Sequence, residues 1–154
     1  MGYLEEKQRQ LDMRYLRMAS IWAENSYCVR RKVGALIVKD KMIISDGYNG
    51  TPSGFENVCE DDEGHTKPYV LHAEANAIIS APRDKMIDAT LYLVGKEVST
   101  GDYVKNAVCC SMCKRMVINA GIEKIYIRDS KNEYRVVEVN DWVENDDSLG
   151  QIGY

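Results

Sequence analysis

After residue 33 the chain alternates strand-like and helix-like runs, and this alternation restricts its fold more than any other feature. The stretch "VGALIVKDKMIISDGYNG" (33–50) reads as two apolar strands around a tight turn at Asp40-Lys41. "HAEANAIISA" (72–81) reads as a short helix stopped by Pro82. "TLYLV" (90–94) is a buried-type strand, and "CSMCKRMVINAG" (110–121) is a helix closed by Gly121, which accepts the left-handed cap conformation. "KIYIR" (124–128) and "EYRVVEV" (133–139) are strands around the turn "DSKN". Before them, residues 4–25 form an amphipathic helix with Leu11, Tyr15, Met18 and Trp22 recurring on one face, expected to be its core face. Asn140 is placed to cap a short last helix, "DWVEND". Helices and strands in this order predict an α/β architecture: a mixed sheet of about five strands covered by helices on both faces. Residues 50–71 carry Gly, Pro, Asp and Asn with little periodicity, and so read as one long loop of the kind that is often functional.

The length of 154 residues suits one domain spanning 1–154. The sequence carries 20 basic and 24 acidic side chains, a net charge of −4, which argues against coating a nucleic-acid backbone. It leaves room for a small anion in a locally positive pocket. No apolar run reaches the roughly 20 residues that span a bilayer. The polar start "MGYLEEKQRQ" lacks the apolar core of a signal peptide, and neither Glu6 nor Lys7 after it is the Ser or Thr with which a myristoylation motif ends. A cytoplasmic location is the default expectation, with no membrane and no nucleic acid as partners. In that compartment five cysteines point to metal binding or catalysis before disulfides.

Two short stretches fall at the starts of expected helices: His72-Ala73-Glu74 and Cys110-Ser111-Met112-Cys113. A catalytic zinc site needs three protein ligands and one open position. His72, Cys110 and Cys113 supply that number. Cys110 and Cys113 are about one helical turn apart and point the same way, and the positive end of their helix favours thiolates. Glu74, two residues from His72, is then free to act as a base toward a water on the metal. Each residue also has a plainer reading. His72 alone would be a core histidine, Glu74 an ordinary first-turn acid, and the two cysteines a redox pair. Their occurrence together favours the zinc reading.

"HAEANAI" and "CCSMCKRMVINAGI" resemble the deoxycytidylate (dCMP) deaminase branch of the cytidine deaminase superfamily, as do "SYCVRRKVGALIV" and "GYNGTPSGF" upstream. The resemblance implies a three-layer cytidine-deaminase-like fold and zinc-dependent hydrolysis of dCMP to dUMP and ammonia, feeding thymidylate synthesis. Water is delivered to C4 of the cytosine ring, and Glu74 carries its proton to ring N3. Other zinc deaminases of this fold, acting on cytidine, guanine, a riboflavin precursor or tRNA adenosine, are the near alternatives. A zinc-stabilised binding protein without turnover is the distant one.

The resemblance also implies roles for residues around the metal. The backbone near Ala73 would hold the ring carbonyl and Asn49 would contact the nucleoside. Ser26, Arg30 and Arg31 lie in the family's nucleotide-binding region, where one of them would meet the 5′ phosphate. Arg83 aligns with an arginine used near subunit contacts and regulation. Many members of this branch are hexamers activated by dCTP, with Mg²⁺, and inhibited by dTTP. Taken without the resemblance, Asn49 reads as a turn residue, Arg30 and Arg31 as a solvated pair, and Arg83 as a surface charge. Some relatives carry a second zinc in the region of Cys28, Cys59 and His65. Two buried thiols and a loop histidine is the favoured reading there, since a fourth ligand is not evident and Val70 stands where a carboxylate would help. Cys109 occupies the position before the first ligand cysteine where the family usually has proline, and is expected to be a small residue filling a tight spot.

Overall fold

The computed structural model describes residues 2–104 and 109–150. Helix α1 (Tyr3–Ala23) precedes a hairpin of β1 (Arg31–Lys39) and β2 (Met42–Tyr48). Helix α2 (Ala73–Ile79), the single turn α3 (Arg83–Met86), β3 (Thr90–Glu97), α4 (Ser111–Ala120), β4 (Lys124–Arg128), β5 (Tyr134–Glu138) and α5 (Val139–Asn145) follow, then a 3-10 turn at Asp147–Gly150. The five strands form one sheet in the order β2-β1-β3-β4-β5. Only β3 and β4 pair in parallel, and α4 is the crossover between them. The expected mixed α/β sheet of five strands is therefore present. At the hairpin turn Asp40 and Lys41 both take positive φ, 51° and 63°, which matches the twist of the paired strands.

Alternate strand residues feed two cores, which is why the strands read as unbroken apolar runs. Ala35, Ile37, Leu91, Leu93, Ile125 and Ile127 face α2, α4 and α5. Leu36, Val38, Tyr92, Val94 and Tyr126 face α1. Beneath α1, Asp12 is buried and accepts the Tyr92 hydroxyl proton at 2.5 Å. Burial and the Asp12 carboxylate hold the Tyr92 phenol far above its ordinary range, so it remains a donor.

The expected core stripe of α1 is corrected. Met18 is 43% and Trp22 38% exposed, and the buried face is Asp12, Tyr15, Leu16, Ala19 and Ala23. Close approach decides this rather than hydrophobic size. A Cβ on Gly34 of β1 would lie 2.0 Å from the Ala19 carbonyl oxygen, so the helix sits on its small residues. The strand expected at 90–94 continues to Glu97 because β1 pairs with it out to Arg31. Asn140 is not a cap. Strand β5 runs directly into α5 with Glu138 at the boundary, and Asn140 lies within the helix. No helix among the described residues is long and apolar enough to cross a membrane.

Candidate metal centre and substrate cavity

Two helix starts bring the metal-ligating side chains together. His72 is the extended residue before α2, and Cys110 holds the same position before α4, where its Sγ accepts the Cys113 N–H at 3.4 Å. Helix α2 lies close on β2: a Cβ on Gly47 would meet the Ala73 carbonyl oxygen at 2.4 Å. Ser45 Oγ donates to the Ala77 carbonyl at 2.6 Å and Asn76 Nδ2 to the Tyr48 carbonyl at 2.8 Å, fixing α2 along the strand. Helix α4 ends at Gly121, whose left-handed φ of 83° closes it as expected.

The His72 Nδ1 lies 3.4 Å from both Cys110 Sγ and Cys113 Sγ, and the three donor atoms fall within 4.8 Å of one another. They are the one such cluster of three or more among the described residues. Hydrogen bonding from the Cys113 thiol and from His72 draws the Cys110 thiol down to about 3. Cys113 is pushed up, first by the thiol proton it shares with Cys110 and then by burial. His72 is raised, chiefly by its contact with Cys110. The trio thus already holds a thiolate and keeps protons that a cation would displace. Two sulfurs and one imidazole nitrogen fit the donor preference of Zn²⁺ and leave a fourth position for water.

Glu74 is 5% exposed in the first turn of α2, and burial raises its carboxyl above the ordinary range. The buried Cys109 thiol hydrogen-bonds to it, and burial together with Glu74 pushes that thiol well up. Cys109 is therefore more than a space filler: it contacts the carboxylate.

His72, Ala73, Glu74 and Cys110 form one wall of a cavity of about 450 Å³. Arg30, Arg31 and Asn49 line it on the β1 side, with Glu60 and Thr66 contributed by the long loop. Asn49 is tied into the wall: its Oδ1 accepts from Val33 N–H at 2.8 Å and its Nδ2 donates to the Arg31 carbonyl at 2.9 Å. Arg31 pairs with Glu97 at 2.8 Å. Ser26 does not line the cavity; it is buried and accepts the Cys28 N–H at 3.2 Å. Arg83 is also elsewhere, donating from Nε to the Asn119 carbonyl at 2.9 Å where α3 meets the end of α4.

Two features were not legible in the sequence. Glu60 is buried and accepts the backbone N–H groups of Val29 and Arg30 at 3.2 Å, fixing the segment that carries Arg30 and Arg31. An acid in an aperiodic loop gives no signal of such a role. Cys28 and Cys59 are buried as expected but are joined in a disulfide, which corrects the expectation of free thiols there. The His65 side chain stays exposed beside Asp61 and Glu63, at 3.5 and 3.6 Å. The long loop is thereby tied to the start of β1, and the bridges Gly50↔Leu71 and Glu60↔Thr66 order its interior.

Residues 9–128 match the family described as "Cytidine and deoxycytidylate deaminase zinc-binding region". The chain belongs to this family. It is 31% identical over 128 residues to the deoxycytidylate deaminase of Mycobacterium phage D29, covering 74% of this chain and 91% of that one. It is 30% identical over 154 residues to the deoxycytidylate deaminase of Saccharomyces cerevisiae, but spans only 44% of that protein's length. Among solved structures, the dCMP deaminase of cyanophage S-TIM5 in complex with dCMP and dUMP superposes with a TM-score of 0.63 at 33% identity. That match covers 98% of this chain and 93% of the other. The family's zinc-binding character agrees with the His72, Cys110 and Cys113 cluster.

Proposed function

We propose that this chain is a zinc-dependent dCMP deaminase that hydrolyses dCMP to dUMP and ammonia, acting as a single deaminase domain over residues 1–154. The observation that carries the reading is the placement of buried Glu74 beside the His72, Cys110 and Cys113 donor cluster, in a cavity whose other side carries Arg30 and Arg31. The similarity to dCMP deaminases supports the choice of substrate.

His72, Cys110 and Cys113 would hold the zinc. When bound, the ion acidifies a water and so makes it a nucleophile near neutral pH. Glu74 is the general base. Its carboxylate accepts the water's proton, delivers it to ring N3, and assists departure of ammonia from C4. Burial suits it to the base half of this exchange, because a carboxylate with a raised pKa takes up the water's proton more readily than an exposed one. The Ala73 backbone receives the ring carbonyl. Asn49, held by β1 on both sides of its amide, presents its remaining N–H to the nucleoside.

Arg30 and Arg31 meet the 5′ phosphate through charge-assisted hydrogen bonds. Ser26, bonded to Cys28 N–H, serves that region by holding its backbone. The same reading carries a cytoplasmic homo-hexamer with Arg83 near a subunit contact, dCTP with Mg²⁺ as activator and dTTP as inhibitor. The test is ammonia release by zinc-replete protein from dCMP, CMP, deoxycytidine and cytidine. Strong preference for dCMP is expected. Equal rates with and without the phosphate would move the activity to a nucleoside deaminase, and silence on all four would overturn the reading.

A further inference from the structure

Two buried carboxylates line the substrate cavity. One, Glu74, stands beside the metal ligands. The other, Glu60, comes from the long loop and shares the cavity wall with Arg30 and Arg31. Among the described residues no cation pairs with the Glu60 side chain. Its oxygens accept backbone N–H groups instead: Oε1 from Val29, and Oε2 from both Val29 and Arg30, each at 3.2 Å. A buried acid whose hydrogen bonds go to two consecutive amides fixes the backbone that carries them.

Those amides belong to the segment that bears both arginines of the cavity. Val29 and Arg30 precede β1, so their N–H groups lie outside its ladders and have Glu60 as acceptor. The carbonyls are held by other groups. That of Arg30 accepts from Val98 N–H at 3.1 Å, and that of Arg31 from Asn49 Nδ2 at 2.9 Å. Glu60 therefore supplies the one restraint on the amide side of this segment. It is itself held in place by its neighbours. Cys59 before it is crosslinked to Cys28 and accepts from Lys67 N–H at 2.7 Å, and Glu60 bridges to Thr66.

We propose that Glu60 is a positioning residue for phosphate recognition. By holding the Val29 and Arg30 amides it sets where the Arg30 and Arg31 side chains depart from the backbone, and so the affinity for the 5′ phosphate, without touching the reacting atoms. It acts by reach rather than by charge: what matters is an acceptor oxygen at that distance. The inference rests on the reading of Arg30 and Arg31 as the phosphate end of the cavity.

Two variants separate reach from charge. Glu60→Asp keeps the charge and is one methylene short; Glu60→Gln loses the charge and keeps an oxygen able to accept both N–H groups. The test measures KM and kcat for dCMP and deoxycytidine, and dUMP binding by calorimetry, on the zinc-replete full chain. Glu60→Asp should raise KM for dCMP and weaken dUMP binding about tenfold, with kcat on dCMP and KM for deoxycytidine each within about threefold of wild type. Glu60→Gln should stay within about threefold of wild type throughout. The reverse order of the two variants would overturn the proposal by making charge the active property, and a Glu60→Asp protein that matches wild type would overturn it outright. An equal rise in KM for both substrates, or a fall in kcat alone, would overturn it as a general distortion of the cavity. A lower KM for dCMP in Glu60→Asp would also overturn it, by showing that the carboxylate competes with the phosphate for the amides. Wild type that binds dUMP but releases no ammonia would contradict the deaminase reading instead, and the order of dUMP affinities would still decide the role of Glu60.

Discussion

Two pairs of cysteines in this chain have opposite fates. Cys110 and Cys113 stand three residues apart across the first turn of α4, with their sulfurs 3.4 Å from the same histidine nitrogen. Cys28 and Cys59 stand 31 residues apart and are joined to each other, one before β1 and one in the long loop. The helix start supplies a backbone N–H and a positive dipole end, which favour a thiolate and hence a metal. The loop pair is buried, and among the described residues no cluster of three metal-ligating side chains forms around it, since His65 remains in solvent. Residue type is the same in both places; the local backbone decides between ligand and crosslink.

The sharpest break between the pairs comes from removing one sulfur of each. Cys113→Ser should lose bound zinc and with it about a thousandfold or more of turnover, read by metal analysis and ammonia release. Full zinc occupancy in that variant would remove Cys113 from the ligand set. Cys28→Ser should leave zinc in place and lower stability by about 3–4 kcal/mol, the chain-entropy value for a loop of this length. Urea unfolding checks it against disulfide-bonded wild type, and reduced wild type should match the variant. Loss of zinc in Cys28→Ser would erase the distinction between the pairs.

Smaller effects sharpen the helix-start site. Burial raises the Glu74 carboxyl above its ordinary value of 4.5. Just above that value the metal-free native protein keeps a proton that the unfolded chain has released. Stability of the metal-free protein should therefore fall as pH rises from 4.5 through the raised native value, and Glu74→Gln should abolish that part of the slope. Identical pH profiles for the two proteins in urea unfolding would contradict it. Cys109→Ala removes one weak donor to Glu74 and should slow turnover by less than about tenfold, with zinc retained. Loss of zinc would make Cys109 a ligand.

Much of this was legible in the sequence because local chemistry and local structure coincide. The Asp40-Lys41 turn, the helix stop at Gly121 and the apolar strands each need only neighbours in the chain. His72, Glu74, Cys110 and Cys113 were legible because each falls at a helix start, where spacing fixes direction. What was missed depends on distant contacts. The face of α1 is set by a glycine on β1, so Met18 and Trp22 turn outward although they are large and apolar. Asp12 is buried because Tyr92 waits on β3, and Glu60 because two backbone N–H groups precede β1. The Cys28–Cys59 crosslink likewise depends on how a loop without periodicity folds back.

The central division of labour, three residues for the metal and one for the proton, is tested most directly by zinc content and dCMP turnover measured together on Glu74→Gln. One zinc per chain, with turnover reduced by about a hundredfold to ten-thousandfold, is the expected result. Loss of the zinc, or turnover that survives the substitution, would contradict the account.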